Sequence, residues 1–281
     1  MEGWFYRLFR ALGIRAMALL AWLVSSCWFV IFPRRLANSL RFYRALFPAV
    51  GPWGRLRLAW HQYHSFAALF AERLLLDRGG TIPYESSGFE HLGSARGGIM
   101  VMSHAGSWEI AVRLLARRGL DVMLFMGRRP DEAVEGVQKQ EVQQSDVAVV
   151  AVERKGADPM VALEGLRHLK AGGLVSMTGD RLWPGVEDVV QVPFLGGVIR
   201  LPATPYRLAL VANVPLFFFF AFRTGRKRYA IRCSPPVHLP PARRSERAAV
   251  IEKAARDYAA LLEAAAREHP EQWYHFEEML E

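Results

Sequence analysis

The sequence predicts an α/β fold built around a mostly parallel central β-sheet. Two observations favour this fold class. Short runs rich in Val, Leu, Met and Phe recur between residues 97 and 233, and helical segments separate the first four of these runs. Buried parallel strands have this apolar character, and the helices between them supply the crossovers. A chain of 281 residues with 52% hydrophobic content is long enough to bury a large core.

The individual elements follow from the local pattern. Strands are predicted at GGIMVM (97–102), DVMLFMG (121–127), DVAVVAV (146–152), GGLVSMTGD (172–180), VPLFFFFAFR (214–223) and RYAIRC (228–233). Helices are predicted over 56–76, 110–118, 131–144, 159–170 and 246–268. Residues 181–205 contain three glycines and four prolines, and we interpret them as a long irregular segment. Such a segment at the edge of an α/β sheet is typically functional.

The N-terminal run MALLAWLVSSCWFVIF (17–32) carries no charge and is flanked by arginines on both sides. It is slightly shorter than the ~20 apolar residues of a membrane span, and it lacks the small-residue cleavage site of a secretory signal. We interpret it as an uncleaved membrane anchor that either spans the bilayer or lies in its interface; a buried core helix is the alternative. The predicted domains are therefore an anchor (1–35) and a body (36–281), and the arginines after the run favour a cytoplasmic body.

The net charge of +9 favours an anionic partner, which is a membrane surface, a nucleic acid or a phosphorylated substrate. Basic runs interleaved with aromatic residues in a nucleic-acid-binding motif are absent from the sequence, so no nucleic-acid partner is predicted. The two cysteines, Cys27 and Cys233, are interpreted as small buried hydrophobic residues in a reducing compartment. No metal site is predicted, because the histidines and cysteines lack metal-ligand spacing.

The segment SHAGSWE (103–109) places two polar residues where a predicted strand passes into a helix. His104 can take a proton from a hydroxyl, and Glu109 can fix the tautomer of the imidazole and stabilise the imidazolium. Backbone N–H groups at the start of the helix can stabilise an oxyanion. The alternative is an ordinary capped helix, with Ser107 as the N-cap and Glu109 favoured by the helix dipole. A serine hydrolase is disfavoured because no G-x-S-x-G elbow occurs.

Several motifs carry a family resemblance. SHAGSWE resembles the HxxxxE form of the HxxxxD/E motif of the lysophospholipid acyltransferase superfamily, and more closely that of the bacterial lipid A late acyltransferases. Asp180-Arg181 is similar to the D-Q/R pair of that family, and QVPFLGG (191–197) to its V-P-F-F-G block. HPEQWYHF (269–276) is similar to the PEQW-x-W-x-H ending, in which we interpret Trp273 as a packing residue. With the N-terminal run, these motifs follow the family's order over residues 15–276.

The resemblance implies a glycerolipid acyltransferase-like αβα sandwich with an N-terminal membrane-associated helix, on the cytoplasmic face of the inner membrane. It implies acyl transfer from acyl-ACP or acyl-CoA to a hydroxyl of a lipid or glycolipid acceptor, without a cofactor. His104 corresponds to the general base and Glu109 to its partner. Residues assigned to substrate binding in this way are Arg128, Arg129, Asp180, Arg181, Gln191, Phe194 and Gly196. Gln191 stands where some relatives carry an acceptor-contacting glutamate.

Other functions remain open from the sequence. A non-catalytic basic protein that binds membranes would use the same positive charge, and a thioesterase would use the same dyad with water as acceptor. The acceptor lipid, the acyl chain length and the oligomeric state are left open.

Overall fold

The structure is a computed structural model that describes residues 19–77, 80–116, 118–127, 148–152, 159–182, 188–225 and 227–277. Its helices are α1 (Leu19–Ile31), α2 (Pro33–Leu46), α3 (Pro52–Asp77), α4 (Phe89–Ser94), α5 (Trp108–Ala116), α6 (Pro159–Lys170), α7 (Thr204–Ala212) and α8 (Arg247–Glu268). Its strands are β1 (Tyr84–Ser87), β2 (Gly98–Gly106), β3 (Val122–Gly127), β4 (Ala148–Val152), β5 (Leu174–Thr178), β6 (Val189–Phe194), β7 (Gly197–Pro202), β8 (Leu216–Gly225) and β9 (Arg228–Cys233). A 3-10 turn follows at Pro270–Gln272.

Seven strands form the central sheet in the order β1-β9-β8-β2-β5-β3-β4. Neighbouring strands run parallel except for the β8–β9 pair, which is antiparallel. The predicted α/β class with a mostly parallel central sheet is confirmed. β2 lies in the middle of the sheet between β8 and β5, so polar groups at its carboxyl end are surrounded by the rest of the fold.

Both faces of the sheet are covered, because alternate residues of a strand point to opposite faces. Ile99 and Val101 of β2 belong to one hydrophobic core, which they share with α7, α8 and the N-terminal helices. Met100 and Met102 belong to a second core, which they share with α4 and α5. The two cores give the αβα sandwich that the motif resemblance implies.

The segment 181–205 is more regular than the sequence analysis expected. Residues 189–202 form the antiparallel hairpin β6–β7, separate from the main sheet. Its two-residue turn, Leu195-Gly196, has φ of 50° and 80°, and a turn with two positive φ angles matches the twist of a hairpin. Glu263 of α8 accepts a hydrogen bond from the Leu195 N–H at 2.9 Å, which holds a non-glycine residue in this conformation.

Most predicted strands lie within two residues of those observed. β2 differs, since it continues through His104 to Gly106 instead of ending at residue 102. The helix predicted at 131–144 lies outside the described residues. Both cysteines are free, and Cys233 is buried as expected, whereas Cys27 is exposed on α1.

The helices α1 and α2 meet at an angle of 89° at Phe32. In the described part of the chain no single helix is long and apolar enough to cross a membrane, although this bent pair passes that test by length and composition. One side of α1 packs on α3, where the Ser25 hydroxyl donates to the Tyr63 carbonyl at 2.7 Å. Its other side is apolar and exposed, with 75% of Val30 and 64% of Ile31 accessible, so α1 is not a buried core helix.

Candidate active site

The site forms where two neighbouring parallel strands end. β2 and β5 pair in register from Gly98–Leu174 to Met102–Thr178, and the Gly179 N–H donates to the Met102 carbonyl at 2.7 Å. His104 and Asp180 each lie two residues beyond the last paired residues. Carboxyl ends of parallel strands are where α/β proteins place their sites, and the register here brings these two side chains into contact.

His104 and Asp180 are joined by two hydrogen bonds. Nδ1 of His104 lies 2.9 Å from Oδ1 of Asp180, and the His104 backbone N–H donates to Oδ2 at 2.7 Å. The indole N–H of Trp273 also donates to Oδ2, at 3.0 Å. Burial alone would raise the pKa of Asp180, but the charge and hydrogen bonds of His104 outweigh it and lower that pKa below its usual value. The carboxylate is therefore ionised at neutral pH.

This geometry sets the chemistry open to His104. When Nδ1 carries the proton and donates a hydrogen bond to the carboxylate, Nε2 of the neutral ring carries the lone pair and can accept a proton. The ionised Asp180 then stabilises the imidazolium that forms. The side chain of His104 is 14% exposed, whereas that of Asp180 is fully buried, so the imidazole is the member of the pair that solvent reaches.

The sequence analysis assigned Glu109 as the partner of His104, but Asp180 makes the hydrogen bond to Nδ1. Closeness in sequence favoured Glu109, which is five residues away, whereas strand order brings Asp180 alongside from 76 residues away. Glu109 lies buried in the first turn of α5. The part of Glu109 in the chemistry and the substrate-binding assignment of Asp180 stay predictions, and the contact that the structure shows is between Asp180 and His104.

The loop between β2 and α5 is held by strand β8. Gly106 has a φ of 85°, and a Cβ there would lie 2.1 Å from the carbonyl oxygen of Ala221, so a side chain has no room. The Ser107 N–H donates to the same carbonyl at 2.7 Å. The Ser107 hydroxyl is buried and has no hydrogen-bond partner within the described ranges, so the N-cap that the capped-helix alternative requires is not formed.

A family profile with the description bacterial lipid A biosynthesis acyltransferase matches residues 81–280. The chain belongs to this family. The protein is therefore an acyltransferase, and the alternative of a non-catalytic basic protein is set aside. The matched residues include His104, Asp180 and Trp273, whereas α1, α2 and α3 precede them. The family resemblance drawn from the motifs is confirmed.

The acyltransferase is also similar to the crystal structure of the 1-acyl-sn-glycerophosphate (LPA) acyltransferase PlsC from Thermotoga maritima. The sequence identity is 14% and the TM-score 0.42, and the match covers 90% of this chain and 98% of that chain. No curated protein sequence matches the acyltransferase at a significant level.

The remaining residues predicted to bind substrate are spread over the surroundings of the acyltransferase site. Arg181 pairs with Glu277, with Nη2 and Oε1 2.8 Å apart. Phe194 is buried, and its ring packs edge-on against Trp273 with centroids 5.3 Å apart. Gln191 of β6 and Gly196 in the β6–β7 turn are exposed. Arg128 and Arg129 lie outside the described residues.

Two residues near His104 and Asp180 were not assigned to the candidate site from the sequence. Trp273 was interpreted only as a packing residue, yet it donates a hydrogen bond to the buried carboxylate. His275 is also buried, and its ring centroid lies 6.1 Å from that of His104 at 89°. Burial lowers the pKa of His275 to about 4, although Asp180 acts in the opposite direction, so this second imidazole is neutral. The PEQW similarity was the available signal for both residues.

Proposed function

We propose that this acyltransferase moves a fatty acyl chain from an acyl thioester, acyl-ACP or acyl-CoA, to a hydroxyl of a lipid or glycolipid acceptor. The observation that carries the proposal is the hydrogen-bonded pair of His104 and the buried, ionised Asp180. Such a pair suits proton removal from a neutral hydroxyl, because the carboxylate fixes the tautomer and balances the charge that develops on the ring.

The reaction is a direct transfer. Nε2 of His104 takes the proton of the acceptor hydroxyl while that oxygen attacks the thioester carbonyl carbon, giving a tetrahedral oxyanion. The carbon–sulfur bond then breaks, the ester remains on the acceptor, and the imidazolium returns the proton to the departing thiolate. Neither metal nor cofactor is required, because the thioester already carries an activated acyl group.

Support for the oxyanion comes from the start of α5. The helix begins at Trp108, four residues after His104, and the first N–H groups of a helix have no partner within it. We infer that these groups hold the developing negative charge. Glu109 occupies this first turn, and its proposed part is to support the loop that carries His104.

The basic residues after the strands are proposed to hold anionic parts of the substrates. Arg181 follows Asp180 directly, and its planar guanidinium suits bidentate contact with phosphate. Arg128 and Arg129 follow β3 in the sequence and are proposed for the same purpose. Gln191 and Gly196, two exposed residues of the β6–β7 hairpin, are proposed to contact the acceptor. The donor carrier and the headgroup both offer suitable negative charge.

We infer that the acyltransferase works at the cytoplasmic face of the inner membrane, with α1 lying in the interface. The exposed apolar side of α1 supports an interfacial position, because its opposite side is occupied by α3. Arg34 and Arg35 at the start of α2 and Arg44 in its last turn are exposed, and their charges suit anionic headgroups.

The test is acyl transfer from mixed acyl-ACP and acyl-CoA to a bacterial lipid extract, read by mass spectrometry for the wild type and for His104→Ala. An acylated lipid formed only by the wild type supports the proposal, and its mass gives the acceptor and the chain length. Free fatty acid without an acylated lipid, formed only when His104 is present, would mean that the site is catalytic and that the extract lacks the acceptor, with water taking the acyl group. An acylated lipid formed equally by both proteins would rule out His104 as the base.

A further inference from the structure

Trp273 makes the only side-chain contact to the Asp180 carboxylate, among the described hydrogen bonds, that does not come from His104. Its indole N–H donates to Oδ2 at 3.0 Å, while the His104 backbone N–H donates to the same oxygen at 2.7 Å. Two donors on Oδ2 leave Oδ1 directed at Nδ1 of His104, at 2.9 Å. These three hydrogen bonds together fix the orientation of the carboxylate.

The indole ring is held firmly in place for this contact. It is fully buried, and it packs edge-on against Phe42 of α2 and Phe194 of β6, with centroids 4.9 Å and 5.3 Å apart and interplanar angles of 86° and 81°. Its backbone pairs with Ala105 in an antiparallel bridge, and its carbonyl accepts a hydrogen bond from the Gln62 side chain. A ring in such a cage returns to one orientation, so its N–H is a fixed donor.

We propose that Trp273 is a positioning residue for the acyl-transfer reaction: its indole N–H orients the Asp180 carboxylate and limits how strongly that carboxylate holds a proton on His104. The inference rests on the proposed function, since it assigns a role within the same site. When Oδ2 of the carboxylate loses a hydrogen-bond donor, more of the negative charge lies on Oδ1. That oxygen then attracts the neighbouring imidazolium more strongly.

Other charged or titratable groups surround the pair. His275 of the C-terminal segment (residues 270–277) and Tyr258 of α8 interact electrostatically with Asp180. Arg181 and Glu277 interact with His275, and Glu109 lies in the first turn of α5. A test of the Trp273 N–H must therefore leave all five unchanged. Replacement of one nitrogen in the indole meets this condition, whereas removal of the segment does not.

The variants are Trp273→Phe and a protein in which Trp273 is replaced by benzothienylalanine, whose ring keeps the shape of indole with sulfur in place of N–H. Phe leaves a gap in the cage and destabilises the fold, while the sulfur analogue removes only the donor. The readout is the pH dependence of kcat/KM for acyl transfer. We expect the acid limb to move to higher pH by about half a unit to one unit in both variants.

A structural role alone predicts a different result. If Trp273 only packs, Trp273→Phe lowers the melting temperature and the amount of active enzyme, the sulfur analogue behaves like the wild type, and the acid limb stays in place in both. That result would overturn the proposal.

A measurement that needs no substrate distinguishes failure of the proposed acyl transfer from failure of the positioning role. The ring nitrogens of His104 are followed by NMR as the pH is lowered, with His104→Gln used to assign the signals. If the wild type transfers no acyl chain, an upward shift of the His104 transition in the sulfur analogue still supports the positioning role. An unchanged transition overturns it, whatever the reaction proves to be.

Discussion

The two ends of the described chain are both rich in aromatic residues, but they place them in opposite surroundings. Trp22 and Phe32, at the N-terminal end, are more than a third exposed, whereas Trp273 and Tyr274 are buried. The buried pair have polar atoms inside the protein to meet, since Trp273 donates to Asp180 and the Tyr274 hydroxyl lies 2.8 Å from that of Ser65. Aromatic content therefore does not separate an exposed aromatic surface from a buried aromatic cluster, whereas the polar partners of the rings do.

The largest effect is expected at Asp180, the residue that accepts the hydrogen bond from Trp273 of the C-terminal segment. Asp180→Asn should lower kcat/KM by about a thousandfold, because an amide cannot balance the imidazolium and can favour the wrong tautomer. Glu109→Gln is the matched control, because it also makes a buried carboxylate neutral. The loss in kcat/KM for Glu109→Gln should be at least tenfold smaller than the loss for Asp180→Asn. A greater loss in Glu109→Gln than in Asp180→Asn would return the partner role to Glu109. Steady-state kinetics with circular dichroism as the folding check decides between them.

The next effect concerns His275 of the C-terminal segment, which makes the free energy of unfolding depend on pH. Its pKa is lowered by burial to about 4, whereas an unfolded histidine titrates near 6.5, so only the unfolded chain binds this proton between those values. The free energy of unfolding should fall as the pH drops from about 6.5 to about 4, by about 3 kcal/mol in total from this residue. Asp180, with its lowered pKa, adds a loss only at still lower pH.

Urea unfolding of His275→Phe at pH 4.5 and pH 7 measures this term. The variant should lose less stability than the wild type between the two pH values, while His61→Gln, at an exposed histidine, should lose as much as the wild type. His269, whose pKa burial also lowers, contributes to every protein in the series and cancels in the difference. Equal pH dependence in His275→Phe and the wild type would contradict a buried neutral His275.

A smaller effect is expected at the N-terminal end. The double variant Leu23→Asn, Ile31→Asn should weaken binding to anionic lipid vesicles about tenfold to a hundredfold, because two exposed apolar side chains no longer enter the interface. Val211→Asn, at an equally exposed apolar residue of α7, is the matched control and should bind like the wild type. Equal weakening by both would remove α1 as the membrane contact. Sedimentation with vesicles is the measurement.

The smallest effect is expected at the outer edge of the C-terminal segment. Glu277 pairs with Arg181 at 2.8 Å, but its side chain is 44% exposed, so the pair is screened by water and salt. A double-mutant cycle with Glu277→Gln and Arg181→Gln, measured on the free energy of unfolding, should give a coupling energy below ~1 kcal/mol. This coupling energy should become smaller in 1 M salt. A larger, salt-independent coupling would mean that the pair is part of the buried site and not of its rim.

The sequence predicted the inner strands of the sheet well because buried parallel strands are continuous apolar runs, as in GGIMVM and DVMLFMG. His104 could be found for a similar local reason, since it follows one such run directly. The contact with Asp180 could not be derived, because it depends on β5 lying beside β2, and strand order is a property of the whole fold. The β6–β7 hairpin was missed because its turn uses Leu195 at positive φ, where glycine or asparagine would be the usual signal.

Trp273 illustrates a different limit. A tryptophan in an apolar surrounding is most often interpreted by its size, and the direction of its N–H is invisible in a sequence. The antiparallel bridge between residues 105 and 273 and the packing of the ring against Phe42 and Phe194 give the indole a fixed direction relative to Asp180. The sequence motif therefore predicted His104 as the candidate base, and three-dimensional contacts were needed to find Asp180 and Trp273 beside it.

The Tyr274 N–H donates a hydrogen bond to the His104 carbonyl at 2.9 Å, so the exchange of this amide proton reports on the contact between residues 270–277 and β2. Amide exchange in native proteins proceeds through local openings as well as global unfolding, and a short segment outside the sheet opens at lower cost than a central strand. An opening confined to residues 270–277 would expose this amide and withdraw the indole from Asp180 while β2 and β5 stayed paired. The exchange rate of one backbone proton would then count how often the enzyme is folded but unable to act.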